Sequence, residues 1–355
     1  MKYYTGLDVS LKTTAICIVD QDGKVVFEES VATDPATITA VIKETNLTIE
    51  RVAIESGSIS HWLEQELCKR GLPIICIDAH RMSKVLAINI NKTDKNDARL
   101  IAEALRCNFY SEVQPKSQEN MELQILINSR RTLKNISSQL KNTIRGHLKA
   151  YGVFLGQLSA KKFLEKVSIV LKDKPALVKD ALEGLLEAFA HIVEKVKCLN
   201  ERIEMIASHD ADVKLLKTIP GVGTLTALTF KVYLGDPNRF KTSKAVGAYF
   251  GMTPRQYSSG ETHRQGRVSK RGSSEVRFLL TEAASVMMYR TKSWSRPKAW
   301  GLKLKKKKGH KKATVGLGRK LSLIMHRMLL TKKPFEYGEP KEKVQKEHKQ
   351  LAVAI

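Results

Sequence analysis

Cysteine is scarce in this 355-residue chain, and its five occurrences (Cys17, Cys68, Cys76, Cys107 and Cys198) show no Cys-x-x-Cys pairing. That spacing argues against zinc ligation and a disulfide framework, and predicts reduced thiols buried in apolar strand and helix patterns. The nine histidines form neither a His-Glu-x-x-His motif nor a clustered pair, so a histidine metal site is not expected. There is no run of eighteen uncharged apolar residues to span a membrane. The N-terminus enters a strand pattern without a signal-peptide layout, which predicts a cytoplasmic protein. A Gly-x-x-x-x-Gly-Lys-Ser/Thr phosphate loop is also missing, so no nucleotide hydrolysis is expected.

Acidic residues are scarce in one stretch only. Residues 217–335 hold 27 Lys and Arg against 4 Asp and Glu, whereas residues 1–216 hold 30 against 28 and residues 336–355 hold 4 against 4. A merely solvated surface would carry both signs. So one-sided a segment is expected to bind a polyanion through phosphate contacts and counterion release. Nucleic acid is favoured over an anionic membrane, because no amphipathic helix with a large aromatic face accompanies the charge.

The acids that are informative lie early in the chain. Asp8 and Glu55 each follow a short apolar run, Tyr3–Leu7 and Val52–Ile54, that reads as a buried strand. Asp94 and Asp97 are three apart at the start of a helical pattern and so project from one helix face. Each alone would read as a turn residue or helix cap. Their order changes the reading. Strand patterns at Thr13–Val19 and Lys24–Val31, a helix at Pro35–Glu44, a helix near Ser60–Arg70 and a strand at Pro73–Ile77 surround them. Three antiparallel strands followed by alternating helices and strands describe a ribonuclease H-like sheet, in which such acids converge at one end. Gathered carboxylates repel unless divalent cations neutralise them, and hard oxygen ligands suit Mg²⁺ or Mn²⁺. A pair of such ions can clamp the attacking and leaving oxygens of a phosphodiester.

Four segments are expected: a ribonuclease H-fold domain with a closing helix (1–150), a helical segment (151–210), a basic, mostly α domain (211–338) and a flexible tail (339–355). Leu123–Leu148 reads as one long helix. Val178, Leu182, Leu185, Phe189, Ile192, Val196, Leu199, Ile203 and Ile206 form a heptad seam, read as an intermolecular coiled coil ahead of an internal helical hairpin. Ile219-Pro-Gly-Val-Gly223 reads as a helix-hairpin-helix turn, with Gly221 and Gly223 exposing backbone N–H groups to a phosphate. Helices are expected at Ser243–Phe250 and Glu275–Tyr289, with a polar basic loop, Thr253–Arg267, between them. The run Lys303–Lys312, including Lys305, Lys306, Lys307 and Lys308, reads as a mobile loop or helix end on phosphates, ahead of a helix at Leu321–Leu330.

These residues resemble, across nearly the whole chain, the DEDD transposases of bacterial insertion sequences, relatives of the Piv-type DNA invertases. The likeness rests on Gly6-Leu-Asp-Val-Ser10, Ile54-Glu-Ser-Gly57, Lys92-Thr-Asp-Lys-Asn-Asp-Ala-Arg99, Ile219-Pro-Gly-Val-Gly223, Tyr249-Phe-Gly-Met-Thr-Pro-Arg255, Tyr257-Ser-Ser-Gly260 and Ser269-Lys-Arg-Gly272. The resemblance implies a RuvC-like domain joined to a C-terminal transposase domain. It makes Asp8, Glu55, Asp94 and Asp97 the metal-binding tetrad and Ser259 a nucleophile that becomes joined to DNA. It further implies donor and target DNA as substrates, a structured non-coding bridge RNA as guide, a nucleoid-associated location and a homo-oligomer, for which the heptad seam offers a dimer or tetramer interface. Arg255, Arg264, Arg267, Lys270 and Arg271 are the expected nucleic-acid contacts beside the serine. A site-specific invertase of the same build, a metal-only junction nuclease and a non-enzymatic architectural binder are the competing expectations.

Overall fold

A computed structural model describes residues 1–86, 93–114 and 117–338. Lys92 and the tail 339–355 lie outside the described residues. The chain divides into two compact units, Met1–Ser117 and Gln118–Ile355, so the long helix expected to close the first domain groups with the second unit.

The first unit is a five-stranded sheet between two helical layers. Its strands are β1 (Tyr3–Val9), β2 (Thr13–Val19), β3 (Val25–Ala32), β4 (Ile49–Glu55) and β5 (Ile74–Ile77), in the order β3-β2-β1-β4-β5. β1, β2 and β3 pair antiparallel, while β4 and β5 run parallel to β1. This is the ribonuclease H-like arrangement. The strands alternate large and small side chains, and the alternation decides which helix each face receives. Leu7, Ile16, Ile18, Val52 and Ile54 form a core with α1 (Pro35–Glu44) and α2 (Ser60–Lys69). On the opposite face Ala15, Cys17 and Ala53 are small and admit a helix closely. After α3 (Ala79–Leu86), that helix is α4 (Asp94–Arg106), capped by Thr93, whose Oγ1 accepts from Asn96 N at 3.3 Å.

The second unit is helical apart from one hairpin. It begins with α5 (Gln118–Lys149), α6 (Ala160–Leu171) and α7 (Ala176–His209). α5 and α7 run antiparallel: Arg130 Nε donates to Asn200 Oδ1 at 2.5 Å near one end, while Ile144 and Leu148 share a core with Leu182 and Leu186 near the other. One column of the heptad seam, Leu182, Phe189, Val196 and Ile203, is thereby buried within this chain. The second column, Val178, Leu185, Ile192, Leu199 and Ile206, is half-buried at its edge. A heptad pattern requires a partner helix without saying whose. Here α5 supplies much of that partner.

α8 (Ala211–Leu216) and α9 (Thr224–Leu234) flank the Pro-Gly-Val-Gly turn, followed by a 3-10 turn at Pro237–Arg239 and α10 (Ser243–Tyr249). The expected polar loop is instead a hairpin of β6 (Pro254–Ser259) and β7 (Thr262–Val268). α11 (Ser274–Tyr289), α12 (Arg296–Lys308) and α13 (His310–Thr331) complete the unit. The lysine run is a helix end, one of the two forms expected for it: Lys303–Lys308 close α12, where the last four cations favour the negative end of the helix dipole, and Lys311 and Lys312 lie in the first turn of α13. Among the described residues no helix is long and apolar enough to cross a membrane. All five cysteines are free, yet only Cys17 and Cys76 are buried; Cys68, Cys107 and Cys198 are exposed, contrary to the expectation of buried thiols. Cys17 and Cys76 lie in strands covered on both faces, whereas Cys68 and Cys198 occupy exposed positions of α2 and α7 and Cys107 is the C-cap of α4.

Candidate functional site

Alternation along β1 and β4 puts two of the expected acids on one sheet face. Leu7 and Ile54, paired across the parallel strands, point to the α1/α2 core. Asp8 and Glu55 follow them directly, so they stand side by side on the other face, the one α4 covers. Both are half-buried, and Asp8 lies inside β1, opposite Ala15 of β2, rather than beyond the strand end.

Gly6 brings α4 to them. A Cβ at Gly6 would stand 2.0 Å from Ala98 O and 2.5 Å from Ala102 N, so the helix backbone rests on the strand backbone at this point. Asp97 immediately precedes Ala98, and Asp8 lies two residues beyond Gly6 on the same face. The glycine contact thus delivers the first turn of α4 to the ends of β1 and β4. Asp97 is buried at 4% exposure, and Asp94, one turn earlier, is exposed. Gly6 was not among the expected site residues, because a single glycine in a strand carries no signal for the helix it admits.

Three acids therefore share one face, with the fourth at its rim. Among the described residues no group of three or more His, Cys, Asp or Glu side chains is arranged to hold a metal ion. The donors nevertheless fit a hard divalent cation in kind, being carboxylate oxygens. Glu64 is another buried acid, whose carboxyl is pushed above its ordinary range chiefly by burial. It belongs to α2 on the opposite face and does not join the group.

The second set of expected residues lies on the hairpin. Ser259 pairs with Thr262 across a turn at Gly260, where φ is +54°, a conformation suited to glycine. Ser258 and Ser259 occupy opposite faces of β6. Ser259 shares its face with Tyr257 and Arg255, and register adds Arg264, opposite Tyr257. Arg267 lies at a register irregularity near the base of the hairpin. All are exposed.

The hairpin base is locked. A Cβ on Gly251 would meet Arg271 N and O at 2.2 Å, and one on Gly272 would meet Tyr249 O at 2.3 Å. Lys270 adopts φ +57° in the same crossing and its N donates to Gly251 O at 3.0 Å. Arg277 closes it, donating from Nη1 to Arg271 O at 2.6 Å, Gly272 O at 3.0 Å and Phe250 O at 3.2 Å. Burial lowers the Arg277 pKa from its ordinary value. This arginine was missed by the sequence reading, since nothing in a helix pattern distinguishes a carbonyl clamp from a solvated cation.

The glycines of the Pro-Gly-Val-Gly turn divide. Gly221, at φ +92°, is required by packing, because a Cβ there would meet Ala283 O at 2.8 Å and Met287 N at 2.9 Å on α11. Gly223 caps α9 with open space around it. At the lysine run, Lys305 Nζ lies 4.7 Å from the centre of the Tyr289 ring.

A family model described as the transposase IS116/IS110/IS902 family matches residues 213–299. A second transposase model, of the DEDD type, matches residues 5–153. The transposase for insertion sequence element IS1111A of Coxiella burnetii is 29% identical over 339 residues, covering 94% of this chain and 91% of that protein. The pilin gene-inverting protein of Moraxella bovis is 26% identical over 297 residues, covering 82% of each. Among solved structures, RuvC of T. thermophilus in complex with a Holliday junction substrate aligns at 14% identity and a TM-score of 0.26, over 32% of this chain and 100% of that one.

Proposed function

Because this chain belongs to the IS116/IS110/IS902 family of transposases, we propose that it moves an insertion sequence by cutting and rejoining DNA through a serine–phosphodiester intermediate. The observation that carries the reading is that Asp8 and Glu55 lie on the sheet face covered by α4, whose first turn carries exposed Asp94 and buried Asp97. These four residues would hold Mg²⁺ or Mn²⁺, which when bound supplies Lewis-acid charge to a phosphate oxygen. Ser259 Oγ attacks phosphorus as the P–O bond to the displaced strand breaks; the proton lost from the serine hydroxyl is balanced by one taken up at the leaving oxygen, so that strand departs as an alcohol. The ester conserves the bond energy, so a second hydroxyl can reverse the step and reseal the DNA without ATP. Arg255, Arg264, Arg267, Lys270, Arg271, Gly223 and Lys305–Lys308 contact backbones, and a structured bridge RNA selects the sequence by pairing. Gly221 is retained among the phosphate contacts only through its backbone N–H. The working unit is a homo-oligomer, a dimer or tetramer. The likeness to a pilin gene-inverting protein supports a second reading, site-specific inversion with the same chemistry.

Ser259→Ala tests the nucleophile. It should abolish the denaturation-resistant protein–DNA adduct while leaving DNA affinity within about twofold, and Ser258→Ala should retain the adduct. An adduct that survives Ser259→Ala removes Ser259 from this role. Sequencing the nucleic acid that co-purifies with the protein tests the guide; the absence of a discrete RNA species would remove that element.

A further inference from the structure

One face of the β6–β7 hairpin carries more than the serine. Along β6, Arg255, Tyr257 and Ser259 alternate onto it, and Arg264 joins them from β7. Gly266, two residues past Arg264, lacks a side chain on that face. A Cβ there would lie 3.2 Å from Tyr257 Cε2 and 3.6 Å from Arg255 Cβ. The phenol ring therefore lies across β7 in the space the glycine leaves. One side of the ring is supported by the ribbon, and the residue remains 56% exposed.

Other exposed tyrosines of this unit are differently placed. The Tyr249 ring lies 4.5 Å from the Arg239 guanidinium, and Lys305 sits over Tyr289, whose hydroxyl meets His310 Nδ1 at 2.8 Å. Those rings are occupied by cations of the protein itself. Among the described residues no cation or second ring stacks on Tyr257. Its surroundings are nonetheless cationic: residues 254–271 contain Arg255, Arg264, Arg267, Lys270 and Arg271 against one acid, Glu261, at the turn. A supported, open aromatic face between two arginines is the arrangement that binds an unpaired nucleotide, with the base on the ring and flanking phosphates on the cations.

We propose that Tyr257 is a base-stacking residue that holds the nucleotide beside the phosphodiester attacked by Ser259, with Arg255 and Arg264 on the adjoining phosphates. Its place beside the cut rests on the Ser259 reading; the stacking itself does not. An unstacked base pinned there fixes the strand's phosphate relative to the hydroxyl two residues along the same strand face. The contact tolerates any base, because every base offers a π face.

Fluorescence anisotropy of the full-length protein, in magnesium-free buffer, with a 20-nucleotide oligothymidine and an abasic strand of equal length, separates base from backbone binding. The wild type should prefer the base-bearing strand, and Tyr257→Ala should cut that preference by about tenfold. Tyr257→Phe should keep it within about twofold. Arg255→Gln and Arg264→Gln should weaken both strands alike and flatten the salt dependence. An unchanged preference in Tyr257→Ala, or a Tyr257→Phe variant as impaired as the alanine, would overturn the proposal. Ser259→Ala should leave the preference intact, so failure of the nucleophile is read separately, from the adduct.

Discussion

The acids of the first unit and the serine of the second are presented in opposite ways. Asp8, Glu55 and Asp97 sit inside a three-layer sandwich, where strand alternation and a backbone contact at Gly6 fix them before any ligand arrives. Ser259 stands near the tip of an exposed two-stranded ribbon whose order comes from its base, through Gly251, Gly272 and Arg277. An isolated two-stranded hairpin is marginal in water, so the contacts at this base carry its structure. One set of residues is held by packed backbone, the other stands exposed on a ribbon.

The sharpest way to break this contrast is to neutralise the acids of the first unit. Asp8→Asn or Asp97→Asn should lower strand transfer by on the order of a hundredfold or more, as loss of metal-site groups does elsewhere. Removal of divalent ions with EDTA should do the same to the wild type. Activity unaffected by either treatment would leave the acids as structural residues. A smaller effect separates the two settings by their glycines. Gly6→Ala pushes a methyl into the α4 backbone and should cost about 1–3 kcal/mol in urea unfolding, as overpacking does. Gly260→Ala meets nothing within 4 Å but must hold φ +54°, and should cost about 1 kcal/mol through backbone strain alone. Equal costs would mean that α4 yields more readily than a backbone contact allows.

The smallest effect concerns the thiols. Burial raises the Cys17 thiol from 9.0 to about 12, and that of Cys76 to about 11. Both are thiols whose folded pKa exceeds the unfolded one, so their contribution to stability is fully present below about pH 9. It should fade as the pH climbs toward 11 and 12. In the native protein near neutral pH, alkylation should label Cys68, Cys107 and Cys198 promptly and spare Cys17 and Cys76. Rapid labelling of all five would indicate that the first unit opens.

Much of the first unit was legible because its strands are apolar runs of the right length and its acids follow them. The function of Gly6 was not, since the helix it admits begins some ninety residues later. In the second unit α5, α7, α10, α11 and the latter half of α13 were legible by period, whereas α6 and the body of α12 were not. The hairpin was not, because both its faces are polar and the alternation that marks a half-buried strand has nothing to alternate. The heptad column Leu182, Phe189, Val196 and Ile203 was seen correctly as a seam, but its partner α5 has no matching strict repeat to declare itself. Arg277 was invisible for the same reason as Gly6: its partners are carbonyls brought to it by the fold.

The most direct measurement is anomalous diffraction from crystals of the protein soaked in Mn²⁺. Density between Asp8, Glu55 and Asp97, with Asp94 at its edge, is the predicted result. Saturating Mn²⁺ that left this position empty, or bound elsewhere in the chain, would contradict the account.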